Sequence, residues 1–175
     1  MLDNVKVKVD GTHIVDTITN VKTGKVEVIE RGDNLVVAKV LPLIMGMLKN
    51  SLAGIQYFAV GSGSTSWDSN PVSPTVDEVM LTKEIGRKAI TSNDIKYVNP
   101  STFEVSDVPT NCIEIHCVFY EEECIGSWRE FGIFGGNATT EKDSGYMIDK
   151  KHHSLVNKTG EMIIDRKIFL TVAFS

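Results

Sequence analysis

Apolar side chains in this chain recur mostly with a period of two. "CIEIHCVFY" (112–120), "GSWREFGIFGG" (126–136) and "MIIDRKIFLTVAF" (162–174) alternate or nearly so. Alternation puts every second side chain on the same face of a strand, so each run specifies one buried face. In the terminal run Ile164, Ile168, Leu170, Val172 and Phe174 share such a face, and Arg166 interrupts it. "VKVKV" (5–9), "THIVDTI" (12–18), "VEVIE" (26–30), "IQYFAV" (55–60), "EIGRKAIT" (84–91), "DIKYV" (94–98), "TFEV" (102–105) and "YMIDKKHHSLVN" (146–157) read as further extended segments. Asp10-Gly11 between the first two is a two-residue hairpin signal, and "KTGK" (22–25) is a second turn.

One stretch breaks the period. In "RGDNLVVAKVLPLIMGMLKN", Leu35, Ala38, Leu41, Ile44, Met45 and Leu48 recur at helical spacing, and Asp33 or Asn34 can cap the start. A helix over about 34–50, kinked at Pro42 and buried on one side, is expected. The fold class is therefore mainly β (α+β): an antiparallel β-sandwich-like domain with one buried helix in its N-terminal half and a preceding β-hairpin. Residues 1–31 form the hairpin extension and 32–175 the main domain.

Several function classes recede on composition. The net charge is −5 with no basic stripe, which disfavours nucleic acid. No run has the length of a membrane span, and the N-terminus lacks the apolar core of a signal peptide. Three cysteines without C-x-x-C spacing point to free thiols in a reducing cytoplasm. "GSGSTS" (61–66) lacks the lysine of a P-loop and the third glycine of a dinucleotide fingerprint. His152 and His153 are adjacent and should diverge, as should ligands around His116, so no metal site converges. No nucleophile motif is present. The expectation is a protein that is not an enzyme and carries no cofactor or metal.

Charges inside strands are the sharper signal. Arg87, Arg129 and Glu130 sit among apolar neighbours, and a buried charge needs a partner or a route to water. They either snorkel at a sheet margin or pair across strands, Arg87 with Glu130 and Arg129 with Glu84. Simple alternation would send Arg129 and Glu130 to opposite faces, with Gly132 marking a close approach of a neighbouring ring or backbone. The long connection "GSGSTSWDSNPVSPTVDE" (61–78) is the candidate docking loop, with Gly61, Gly63, Trp67 and Asp68 as its notable residues.

Taken in order, "GDNLVV", "YFAVGSGSTSWDSNPVSPTVDEV", "LTKEIGRKAI" and "WREFGIFGG" resemble the N-terminal attachment domain of bacteriophage tail-fibre and tail-collar proteins. Such domains carry an "AVGTG"-like turn, matched by Ala59-Val60-Gly61-Ser62-Gly63. They also carry an E-x-x-R strand, matched by Glu84 and Arg87, and an "REVGLF"-like strand, matched by Arg129 to Phe134. The resemblance spans about residues 32–174. It departs in the strands of 1–31, in the longer middle between Arg87 and Trp128, and in ending at Ser175 where such proteins continue into a fibrous shaft. It implies a structural virion protein of a phage or phage-like tail, made in the host bacterial cytoplasm. Its expected role is an adaptor that docks to baseplate, collar or neck proteins through a homo-oligomer, a trimer or ring, and anchors fibres. The alternative is a host-glycan module in which Trp67, beside Asp68, stacks on a sugar ring.

Overall fold

A computed structural model describes residues 7–174. In chain order the elements are β1 (Val7–Asn20), β2 (Val26–Glu30), β3 (Leu35–Val36), α1 (Val40–Leu48), β4 (Ala53–Gly61), β5 (Glu84–Ala89), β6 (Ile95–Tyr97), β7 (Cys112–Phe119), β8 (Gly126–Gly136), β9 (Tyr146–Lys158) and β10 (Met162–Phe174). They form two five-stranded antiparallel sheets, ordered β2-β1-β10-β7-β6 and β3-β9-β8-β4-β5. The sheets pack as a sandwich, and the mainly β class read from alternation holds.

The core lies between the sheets. Ile14, Ile115, Phe119, Ile164 and Ile168 of the first sheet meet Phe58, Val60, Trp128, Phe131 and Ile133 of the second. Phe119 makes edge contacts with Phe58 at 5.6 Å and with Trp128 at 5.0 Å. Each fully buried large apolar side chain contributes roughly 1.5–3 kcal/mol by leaving water. A second cluster, Val37, Ala59, Leu81, Phe134, Ala138 and Met147, includes side chains on the other face of the second sheet. That sheet is therefore covered on both sides.

Two local expectations fail for physical reasons. Asp10-Gly11 is not a turn: β1 runs through it and pairs with β10 from Val7↔Phe174 to Asn20↔Met162, with a register shift at Gly11. A side chain at Gly11 would collide with Asn34, whose Oδ1 lies 2.0 Å from the Cβ position. The glycine thus marks a bulge and a close approach. A long partner strand on both sides of the dipeptide outweighs its turn preference. The hairpin forms instead between β1 and β2 at residues 21–25, where the Asn20 carboxamide accepts from the Lys22 and Thr23 backbone N–H groups and Gly24 has φ +69°. Residues 7–30 are in this way hydrogen-bonded into the first sheet.

The helix is shorter than its periodicity suggests. Leu35–Val36 pair with β9 as β3, and α1 begins at Val40. Val40 and Leu43 are buried, whereas Leu41, Met45 and Leu48 are exposed. Pro42 sits in the first turn, where a backbone N–H has no helical partner to lose, so no kink is required. Asn34 does not cap this helix; its carboxamide donates to the Asp149 carboxylate.

Candidate functional site, a loop clasped by one strand

Strand β8 places Trp128, Phe131 and Ile133 in the core. Its alternation breaks between them. Trp128 faces Val156 and Glu130 faces His152, so Arg129 alone stands against three residues of β9. As a result Arg129 and Glu130 do not reach opposite partners, as simple alternation had them; both reach the segment 62–83. Neither cross-strand pair expected from the sequence forms. Arg129 donates to the Asp68 carboxylate and, at 3.1 Å, to the Ser62 carbonyl.

Glu130 is wholly buried and acts as an acceptor for backbone. It receives the N–H groups of Gly63 at 3.2 Å, Thr82 at 2.9 Å and Lys83 at 2.8 Å. Lys150 lies 3.3 Å from its second oxygen. A single carboxylate thereby ties both ends of the loop to the sheet. Lys150, from β9, also donates to Glu78 at 2.8 Å and to the Met80 carbonyl at 3.1 Å. Burial would raise the Glu78 carboxyl, but the bonds from Lys150 and the Thr75 N–H hold it below its ordinary value.

Gly61 and Gly63 are required by this arrangement. A Cβ at Gly61 would lie 2.6 Å from the Glu130 carboxylate. One at Gly63, where φ is +51°, would lie 2.4 Å from the Trp67 ring. Trp67 ends a short 3₁₀ turn, Thr65–Trp67, and stacks on His152 at 3.8 Å. His152 faces the Val72 carbonyl through Nδ1 at 2.9 Å, and burial lowers its pKa. Trp67 is only 8% exposed, so its ring is not presented for sugar stacking. The glycan reading loses the residue it rested on.

Arg87 fastens a second connection. A register shift between β4 and β5 sets Val60 opposite Gly86 and Gly61 opposite Glu84. The extra residue, Ile85, turns Glu84 and Arg87 to the same side, and they form a two-pronged pair at 2.7 and 2.8 Å. The remaining Arg87 nitrogen donates to the Thr139 carbonyl at 3.0 Å and to Ser144 Oγ at 2.9 Å, closing the 137–145 turn. Its guanidinium lies 4.7 Å over the Phe134 ring. Gly132 behaves as expected: a Cβ there would be 3.1 Å from the Asp149 carbonyl and 3.2 Å from the Phe134 ring.

All eight singled-out residues, Gly61, Gly63, Trp67, Asp68, Glu84, Arg87, Arg129 and Glu130, thus lie on or beneath the loops covering the second sheet. Sequence reasoning missed Lys150, Glu78 and His152, because nothing local assigns β9 side chains to a loop some seventy residues away. Most polar groups of the assembly are hydrogen-bonded, but His152 Nε2 is buried without a partner. Burial pushes the Cys117 thiol up to about 12. Among the described residues no cluster of three or more His, Cys, Asp or Glu side chains could hold a metal, and no helix is long and apolar enough to cross a membrane. Among mostly polar exposed residues the clasped segment presents three apolar side chains: Val72 is 57%, Val76 51% and Met80 51% accessible. No protein-family model matches the chain, and neither a curated protein nor a solved structure is significantly similar to it.

Proposed function

We propose that this protein is a structural, non-enzymatic module of a phage or phage-like tail, docking to baseplate, collar or neck proteins as a homo-oligomer. The observation that carries the reading is the convergence of the three family-like motifs on one device. The Gly-Ser-Gly turn, the Glu84–Arg87 pair and the Arg129-Glu130 strand all fix the loops over one sheet. A loop fixed in advance loses little entropy when a partner covers it. Val72, Val76 and Met80 supply apolar anchors on that loop, and the edge strands β2, β3, β5 and β6 offer backbone for strand addition. Closed symmetry, a trimer or ring, is the ordinary outcome for such self-association.

The test is a pair of exposed substitutions, Val72→Asp with Val76→Asp. They should leave the fold intact by circular dichroism, abolish the oligomer in sedimentation velocity, and remove the chain from purified particles viewed by electron microscopy. A wild-type chain that stays monomeric at all concentrations and is missing from particles overturns the proposal.

A further inference from the structure

Helix α1 is apolar on both sides. Val40 and Leu43 pack into the core. Leu41, Met45 and Leu48, spaced i, i+4 and i+7, form a stripe on the opposite face. That stripe is open: Leu41 is 64%, Met45 60% and Leu48 73% accessible. A surface helix ordinarily turns polar or charged residues outward, so a second apolar stripe marks a face built for contact.

The charges around this helix have one sign. Lys39 and Lys49 bracket it, and neither side chain has a hydrogen-bond or ion-pair partner among the described residues. No Asp or Glu occurs from Leu35 to Trp67. The clasped loop has the opposite balance. It carries Asp68, Asp77 and Glu78, and no Lys or Arg occurs from Ser51 to Thr82. Asp68 is held by Arg129 and Glu78 by Lys150. Asp77 is exposed and has no partner among the described residues. The two surfaces adjoin, because the Ala38 N–H, two residues before α1, donates to the Val76 carbonyl at 2.9 Å.

We propose that the loop is covered by helix α1 of a second copy of this chain. Leu41, Met45 and Leu48 of one copy pack on Val72, Val76 and Met80 of the other, and Asp77 meets a lysine that brackets the helix. The inference rests on the homo-oligomer reading and names the surface that fills the loop. Like does not suit like here. Two α1 helices laid side by side bring lysines together, and two loops bring carboxylates together without a free cation; like-charge juxtaposition across an interface is costly. One chain offers both surfaces, so a closed assembly satisfies every copy.

The experiment is sedimentation velocity of the full chain over a range of concentrations. Met45→Glu, at the centre of the stripe, should weaken association at least tenfold. Lys39→Glu with Lys49→Glu should weaken it about tenfold, and adding Asp77→Lys to that chain should restore much of the loss. Circular dichroism checks each fold. The charge variants alter only side chains without partners and serve if Met45→Glu does not fold. An oligomer that Val72→Asp with Val76→Asp dissociates, but that Met45→Glu and the lysine reversals leave intact, overturns this inference alone, since another molecule or another face then covers the loop. So does a lysine-reversed chain that Asp77→Lys weakens further. A wild-type chain that stays monomeric also overturns it, and the presence or absence of that chain in purified particles then decides whether the assembly reading falls too.

Discussion

The two groups of buried charges use the same residue types to opposite ends. In the clasp, Glu130 meets four donors and the Glu84–Arg87 pair is completed by backbone groups of the 137–145 turn. Apart from Lys150 of β9, the partners there belong to connections that would otherwise be loose. In the second group, between the sheets, the Arg166 and Arg31 guanidiniums share the Asp16 carboxylate, and Arg31 Nη2, Arg166 Nη1 and His153 Nε2 are left unpaired. The first arrangement converts buried charge into loop order. The second joins β1 to β10 and leaves buried nitrogens unpaired. The same residue types thus fasten backbone in one place and join two strands, with nitrogens left unpaired, in the other.

The largest break in this comparison should come from Asp16→Ala. It strands Arg166 and Arg31 in the interior, and breaking a buried pair from one side costs about 3–5 kcal/mol. Urea denaturation measures it. A double change, Asp16→Leu with Arg166→Met, should recover most of the loss, since an apolar replacement of both partners restores packing. Burial pushes the Asp16 carboxyl up, but the two guanidiniums more than offset it and hold it at about 2, below the ordinary 3.8. Its folded pKa is depressed, so its contribution is full above the ordinary value and is lost as pH falls through about 2. A wild-type stability curve that is flat across that acid range contradicts this account.

Glu130→Ala should come next, at about 3 kcal/mol, because it leaves Lys150 and three backbone donors without their acceptor. Amide hydrogen exchange at Thr82 and Lys83 should speed up along with the fall in melting temperature. An unchanged melting temperature would break the idea of a clasp altogether.

Asp149 sharpens the contrast from a third direction. It is fully buried in β9, accepts from the Asn34 carboxamide, and burial pushes its carboxyl up to about 7. Asn34 Oδ1 and Asp149 Oδ1 are both unpaired, and a proton on Asp149 would let one donate to the other. The folded pKa is raised above the ordinary 3.8, so the folded state holds this proton more tightly than the unfolded chain does. The contribution is full below that ordinary value, declines as pH rises toward about 7, and is level above it. Asp149→Asn, which supplies a permanent donor, should flatten that decline and gain about 1 kcal/mol in alkaline buffer. Equal pH slopes in the two proteins would show that Asp149 does not titrate in this window.

Much of this was legible in the chain, and the boundary has a physical basis. Strand faces followed from alternation, because the period of two is a local property. The Asp16–Arg166 pair also left a trace: each is the lone charge in an apolar stripe, between Ile14 and Ile18 and between Ile164 and Ile168, and two such stripes on neighbouring strands imply a match. Pairings at Glu84 and Arg129 were not legible, because each depends on a strand irregularity. Ile85 shifts the side of Arg87, and three residues of β9 against one of β8 redirect Arg129. Asp10-Gly11 misled for the converse reason: a turn signal is local, whereas the β10 partner that overrides it lies at the other end of the chain.

Arg129→Ala is the smallest expected effect and the one that tests whether the clasp has parts. Its partner Asp68 is 45% exposed, so solvent screens the pair and competes for it. Exposed ion pairs are worth about 0.2–1 kcal/mol, and the Ser62 carbonyl freed by the change can be rehydrated at the loop surface. Glu130 would still hold Gly63, Thr82 and Lys83. Hydrogen exchange should therefore accelerate around residues 64–70 and stay slow at Thr82 and Lys83, with a barely shifted melting temperature. If Arg129→Ala instead loosens the whole segment as Glu130→Ala does, the two charges form one cooperative lock and the loop has no separable anchor. Adjacent charges on a strand whose alternation has broken would then act as a single unit.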